Sequence, residues 1–159
     1  LSSFQTSLAA EQNVEYYFYF LSFTFSAIFA RLFLSAYAIL ISPRIVNLAL
    51  TALMSVSIGL FIFVDGNSGL YLVAAGLFGL SYGLLYSLLT GQAANGAPEN
   101  YVSQTLLLFS LFYFLGAFGM PMIAGRIVTN LGIEAFLYAL CILASANFLF
   151  SLAQFRSKM

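Results

Sequence analysis

Five long apolar stretches fill almost the whole of this 159-residue chain and restrict what it can fold into. A hydrocarbon core about 30 Å thick needs about 20 helical residues to cross it. Lipid offers no partner to backbone N–H and C=O groups, so only helices or closed barrels cross a membrane. The stretches are continuous rather than alternating, which predicts helices and not barrel strands. They cover residues 16–41, 45–64, 69–90, 101–124 and 133–153.

The composition excludes a water-soluble fold. Hydrophobic residues make up 62% of the chain and charged residues 6%, whereas soluble domains average about 25% charged residues. The formal net charge of zero argues against nucleic acid as a partner. The chain has no histidine and one cysteine, Cys141, which excludes an intrachain disulfide and predicts no metal site and no cofactor. We therefore expect an all-α fold, a polytopic transmembrane helix bundle of five spans embedded in the lipid bilayer.

The chain divides into a short polar start and a long apolar remainder. Residues 1–15 are too short and too polar to span a membrane, and are predicted to be the end of a preceding helix followed by an external loop. Residues 16–159 are predicted to form the five-helix transmembrane bundle. Brief connections make neighbouring helices antiparallel. These connections lie at residues 42–44, 65–69, 91–100 and 125–132.

The few charges predict an orientation, because cytoplasmic loops carry an excess of Lys and Arg. Five spans place Arg44, Arg156 and Lys158 on one side and only Arg126 on the other. This distribution predicts a cytoplasmic C-terminus. The setting would be a plasma membrane or a bacterial inner membrane.

Arg31 is the only ionisable side chain deep inside an apolar stretch. A charge there costs at least about 2.5–3.5 kcal/mol on insertion scales, and snorkelling to the interface from that position is difficult. One interpretation is a residue that lines a polar cavity and holds an anionic group or a carboxylate partner. The other is a structural charge paired with a helix C-terminus or with hydroxyls. All five acidic residues lie near loops, so a carboxylate partner at membrane depth would come from elsewhere.

Glycines and one proline mark the third and fourth stretches. Gly76, Gly79 and Gly83 fall on one helix face, which lets a neighbouring backbone approach closely. A proline removes one intrahelical hydrogen bond and favours a kink. These residues fit either the bending helices of a transporter or static close packing. The fourth stretch carries Gly116, Gly119, Pro121 and Gly125.

Three tyrosines lie in the middle of apolar stretches and need polar partners there. Tyr82 and Tyr86 share one face of the third stretch at i, i+4 spacing. Tyr113 lies in the middle of the fourth stretch. Each fits either contact with a solute or packing against another helix.

The sequence does not favour an enzyme. It has no histidine and no pair of carboxylates within a stretch. A serine nucleophile would therefore lack a visible base. No phosphate-binding loop is present, because the glycines of the third stretch lie in mid-helix.

Three segments in order resemble the C-terminal half of a major facilitator superfamily transporter. Arg31-Leu-Phe-Leu-Ser35 is similar to the Arg-x-x-x-Gly of the eighth helix, with serine in place of glycine, and GLFGLSYGLLYS resembles the glycine-rich tenth helix. LGAFGMPMIAGRIVTNLGIEAFLY resembles the eleventh helix, its short loop and the opening of the twelfth. The charged signature usual after the eighth helix is reduced to Arg44 in residues 39–44.

The resemblance implies helices eight to twelve of that fold, with most of the seventh helix and the whole N-terminal half absent from this sequence. It implies alternating access, in which two halves rock around a site near the bilayer midplane. On this mapping Arg31, Tyr82, Tyr86 and Tyr113 would line the substrate path. The residues that would supply helix packing and bending are Gly76, Gly79, Gly83, Gly116, Gly119, Pro121 and Gly125.

The leading hypothesis is a secondary transporter, a permease or efflux protein, that moves a small solute and needs the missing N-terminal half as its partner. Arg31 favours an anionic or zwitterionic solute. The alternative is a non-transporting membrane subunit that packs against other transmembrane chains, with the glycine faces as docking surfaces.

Overall fold

The computed structural model describes residues 1–38 and 40–156, and all the regular structure in these residues is helical. Ile39 and residues 157–159 lie outside the described residues, so the predictions that involve Ile39 and Lys158 are not addressed by the structure. The described helices are α1 (Gln5–Glu11), α2 (Tyr16–Phe29), α3 (Ser35–Ala38), α4 (Pro43–Leu60), α5 (Ser68–Asn95) and α6 (Val102–Arg156).

Shorter helical turns connect or extend these helices. A π-helical turn, Ala30–Leu34, joins α2 to α3 so that they form one continuous rod. The 3-10 turns are Ser2–Phe4 before α1, Phe61–Phe63 after α4 and Glu99–Tyr101 before α6.

Four of these helical rods are long and apolar enough to cross a membrane, which makes the chain an integral membrane protein by length and composition. The first three begin within two residues of the predicted stretches, because Pro43 and the turn before Ser68 interrupt the helices where the sequence indicates. The fourth rod differs from the prediction, since it covers both 101–124 and 133–153. The rods are Tyr16–Ala38, Pro43–Phe63, Ser68–Asn95 and Glu99–Arg156.

The last rod is interrupted at one residue. Helix α6 has 55 residues, which at 1.5 Å per residue would extend about 80 Å, far beyond a hydrocarbon core of about 30 Å. Gly132 has φ 85° and ψ 169°, a non-helical conformation that glycine adopts without steric cost. We call residues 102–131 the first arm of α6 and residues 133–156 its second arm. The predicted connection at 125–132 is therefore helical up to Leu131.

Both arms pack antiparallel to an earlier helix. Along the first arm, Phe109 contacts Tyr86 and Tyr113 contacts Tyr82, so residue numbers rise in α6 as they fall in α5.

The second arm shows the same order against α4. Asn47 Nδ2 donates to Ser151 Oγ at 3.0 Å, and Ser55 Oγ donates to the Ala144 carbonyl at 3.0 Å. Because α4 and α5 are themselves antiparallel neighbours, the two arms run in opposite directions.

Helices α2 and α5 run parallel and approach closely along a glycine face. A Cβ added at Gly79 would lie 2.4 Å from the Phe23 carbonyl oxygen, and one at Gly83 would lie 2.9 Å from the Ala27 carbonyl oxygen. One turn earlier, a Cβ at Gly76 would lie 3.0 Å from Ser22 Oγ. Only glycine permits backbones to meet at this distance. We call this contact the glycine seam.

The N-terminal segment packs into one end of the bundle. Within α1, Gln5, Leu8 and Ala9 are buried. The Tyr71 hydroxyl donates to Gln5 Oε1 at 2.7 Å, and Gln12 Nε2 donates to the Phe61 carbonyl at 2.5 Å. Residues 1–11 are therefore a structural part of the bundle, whereas the predicted loop is limited to residues 12–15.

Polar residues line a cavity at each of the two ends of the bundle. Glu11, Asp65 and Glu134 line one cavity of about 460 Å³ at the end where α1 stops and α5 begins. Arg44, Gln92 and Ser151 line a smaller cavity of about 100 Å³ at the opposite end. This grouping agrees with a chain that passes up and down between two polar ends. Which end faces the cytoplasm stays a prediction.

Candidate functional site

The structure brings together the four residues that the sequence predicts to line a path. The Arg31 guanidinium lies over the Tyr86 ring, with Cζ 5.7 Å from the ring centroid. The Tyr86 and Tyr113 rings meet edge to face with their centroids 5.0 Å apart. The hydroxyls of Tyr82 and Tyr113 are hydrogen-bonded to each other. We call Tyr82, Tyr86 and Tyr113 the tyrosine cluster.

The helix arrangement explains why these residues meet. On α5, Tyr82 and Tyr86 are one turn apart on the same face. The antiparallel first arm of α6 places Tyr113 against both of them. The glycine seam fixes the register of α2 against the parallel α5. Arg31, one turn beyond Ala27, therefore lies opposite Tyr86.

Arg31 lies in the π-helical turn, where the helix geometry is locally changed. The backbone N–H of Ser35 donates to the Ala30 carbonyl, five residues earlier, and Ser35 Oγ donates to the Arg31 carbonyl at 2.5 Å. Ser35 therefore takes part in this turn through both its backbone N–H and its hydroxyl. π-helical turns inside α-helices occur frequently at functional sites.

The Arg31 guanidinium has no carboxylate partner within residues 1–38 and 40–156. Its contact there is the face of Tyr86, and no hydroxyl or helix C-terminus in these ranges accepts a hydrogen bond from it. Cation–π contacts of this type contribute about 0.5–2 kcal/mol. That is less than the cost of about 2.5–3.5 kcal/mol for placing an arginine in mid-membrane. The five donor N–H groups of Arg31 are available to a further partner.

An apolar cavity of about 410 Å³ adjoins the tyrosine cluster. Its walls come from α2, α5, both arms of α6 and the residues before α1, and Tyr82 belongs to both the cavity and the cluster. The volume is within the range of small-molecule sites, about 300–1,000 Å³. We call it the aromatic cavity, because its lining includes Phe23, Phe78, Tyr82 and Phe136 together with Met120 and Pro121.

The predicted packing and bending residues fall into two groups. Those of α5 form the glycine seam against α2. In contrast, a Cβ added at Gly116 or Gly119 would meet nothing within 4 Å, and one at Gly125 would meet only the Phe4 ring at 3.9 Å. The helix continues through Pro121, and the only non-helical residue within α6 is Gly132.

Sequence reasoning did not single out Phe23 and Phe78. Both rings lie against Tyr82, with centroids 5.8 Å and 6.2 Å from its own. No local signal separates them from the other members of a set of 18 phenylalanines. Their role follows only from the parallel pairing of α2 with α5.

Comparison with protein-family models, curated proteins and solved structures finds no match to this chain. Membership of the major facilitator superfamily therefore stays a prediction from the motifs. In the part of the chain that the structure describes, no group of three or more acidic or cysteine side chains is arranged to hold a metal ion.

Proposed function

We propose that this chain forms part of a secondary transporter that moves a small solute across a membrane by alternating access. The observation that carries the proposal is Arg31, a charge inside an apolar helix that has no carboxylate partner in the described chain. Its contact is Tyr86 of the tyrosine cluster, and Tyr82 of the same cluster lines the aromatic cavity. Charged residues inside membrane helices mark solute or ion pathways by default. The order of the three motifs that resemble the major facilitator superfamily supports the same proposal.

The four long rods would make five crossings in this transporter. The two arms of α6 have 30 and 24 residues on either side of Gly132, and about 20 residues are enough for one crossing. Their opposite directions place residue 133 near Glu11 and Asp65, and Ser151 near Arg44. Positive residues at the latter end favour a cytoplasmic C-terminus in a plasma or bacterial inner membrane.

Accessible-cysteine mapping tests the five crossings. In a Cys141→Ser background, we expect single cysteines at Glu11 and Glu134 to react with an impermeant maleimide from outside intact cells. Cysteines at Asn100 and Ala153 are expected to react only after permeabilisation. Equal labelling of Glu134→Cys and Ala153→Cys from one side would contradict a crossing by the second arm.

The packing suggests which parts move together. The glycine seam joins α2 and α5 at backbone distance, so Arg31, Tyr82 and Tyr86 would move as one unit. The first arm of α6 holds Tyr113 against this unit, while its Gly116 lines the aromatic cavity and its Gly119 faces open space. A second set of helices, which the resemblance assigns to the missing N-terminal half, would pack against the face that carries Gly119 and enclose the solute path.

Counterflow in proteoliposomes tests transport itself. The complete polypeptide that contains this chain is reconstituted, and the liposomes are loaded with a mixture of unlabelled carboxylates, amines and sugars. We expect transient uptake of at least one labelled member of the mixture above the level of protein-free liposomes. Absence of counterflow for all classes, with protein correctly inserted, would contradict the transporter proposal.

The non-transporting subunit is the second candidate, and the open face at Gly116 and Gly119 is the observation that favours it. Small residues on an unfilled helix face are typical of helix–helix docking. This candidate predicts that the chain is purified in a stable complex with another membrane protein and shows no counterflow on its own or in that complex.

A further inference from the structure

We infer that the site binds an amphiphilic organic anion with a flat aromatic body, a substrate class more specific than the transport function proposed above, on which the inference rests. The anionic group would pair with Arg31, and the aromatic body would enter the aromatic cavity. Tyr82 joins the two parts, because it belongs to the tyrosine cluster and also lines the cavity.

The charged part of the site favours one negative charge. Within the described ranges, the guanidinium of Arg31 is the charged group in contact with the tyrosine cluster, and it has no carboxylate to neutralise it. Arginine binds carboxylate, sulfonate and phosphate groups through parallel N–H donors. The guanidinium lies over the Tyr86 ring and makes no hydrogen bond within the described ranges, so its N–H donors are free for such an oxyanion.

The tyrosine hydroxyls can assist at the same place. Tyr82 and Tyr113 hydrogen-bond to each other, so one hydroxyl proton of the pair is used between them and the other can be donated to a ligand oxygen. A cation has no acceptor of comparable strength here, because none of the described residues that line the aromatic cavity carries a carboxylate. The local charge therefore selects against amines.

The apolar part of the site favours a ring. Phe78 lies nearly parallel to Tyr82, at an interplanar angle of 18°, and Phe23 is tilted against both rings. Offset stacking on such rings adds about 0.5–1.5 kcal/mol beyond area burial. A cavity of about 410 Å³ has room for one or two fused rings. Aliphatic anions of equal charge would lose this stacking.

Calorimetry on the complete polypeptide in lipid nanodiscs tests the inference with three probes: 2-naphthalenesulfonate, 2-naphthylmethylammonium and octanesulfonate. We expect 2-naphthalenesulfonate to bind at least about 10-fold more tightly than either of the others. Arg31→Gln should weaken its binding roughly 10- to 100-fold, as expected for loss of a charge-assisted contact. Arg156→Gln, which removes the same charge at the end of α6, serves as the matched control and should have no effect.

Tighter binding of the ammonium probe, or binding of the sulfonate that is unchanged by Arg31→Gln, would overturn the inference. Equal affinity for octanesulfonate and 2-naphthalenesulfonate would overturn its aromatic part. The two proposals fail differently. Selective anion binding without counterflow would contradict the transport proposal but support the inferred ligand class. Counterflow of amines or sugars without anion binding would contradict the ligand class but support transport.

Discussion

Replacing Gly79 by alanine is expected to destabilise the bundle more than the same substitution at any other glycine outside the positive-φ turns. The new Cβ would lie 2.4 Å from the Phe23 carbonyl oxygen. A side chain could relieve this clash by changing its rotamer, but a backbone carbonyl cannot, so α2 and α5 must separate. Overpacking of a close contact typically costs about 1–3 kcal/mol, and membrane helices depend on packing because lipid provides no hydrophobic drive between them.

The measurement is unfolding in mixed detergent micelles, followed by far-ultraviolet circular dichroism. Gly119→Ala is the matched control, since it makes the same change within a helix where nothing lies within 4 Å. Gly83→Ala should fall between the two, because its Cβ would lie 2.9 Å from the Ala27 carbonyl oxygen. Equal unfolding free energies for all three variants would show that the glycine seam does not hold the bundle together.

The seam also positions the site, so the same variant reports on function. Separation of α2 from α5 moves Arg31 away from Tyr86, because Arg31 is one turn beyond the contact at Ala27. We therefore expect Gly79→Ala to weaken ligand binding as well as stability, whereas Gly119→Ala, outside the aromatic cavity, leaves both unchanged.

Hydropathy predicts the long helices of this chain well for a physical reason. In lipid the backbone N–H and C=O groups must hydrogen-bond to one another within each segment, so the length of an apolar stretch alone identifies a helix. The sequence also shows where a helix begins or ends when a residue restricts the backbone, as Pro43 does at the start of α4. The grouping of Arg31 with the three tyrosines came from the resemblance to the transporter family, whereas hydropathy indicated only that each polar group needs a partner.

The predicted loop at 125–132 shows where such reasoning fails. Its polar residues indicate a connection, but two of their side chains donate hydrogen bonds to backbone carbonyls of the same helix. Thr129 Oγ1 donates to the Gly125 carbonyl at 2.7 Å, and Asn130 Nδ2 donates to the Arg126 carbonyl at 2.9 Å. Polarity therefore does not end the helix. Only Gly132, whose φ is positive, interrupts it.

The aromatic cavity and the π-helical turn were not predictable from local sequence. The cavity depends on which helices are neighbours and on their register, and single-residue patterns do not encode either. Within the π-helical turn, the Ser35 hydroxyl donates to the Arg31 carbonyl. A serine at this position also fits a regular helix, since the same hydrogen bond to the i−4 carbonyl occurs there.

Arg31→Ala is expected to abolish counterflow, a reduction of at least about 100-fold, while the protein still inserts in the membrane. Removing the charge lowers the cost of insertion by about 2.5–3.5 kcal/mol, so failure to insert is not the expected cause of lost transport. Arg31→Lys keeps the charge but loses the planar donor edges and the stacking on Tyr86, and should retain only a small part of the activity.

The prediction for Arg31→Ala is tested by initial counterflow rates, normalised to the protein extracted from each liposome preparation. Arg156→Ala removes an equal charge from the end of α6 and should transport as the unaltered protein does. Cysteine labelling at Glu134 and Ala153 checks that each variant keeps the same path through the membrane. Transport by Arg31→Ala at the unaltered rate would remove Arg31 from the solute path and leave it as a structural charge held by the face of Tyr86.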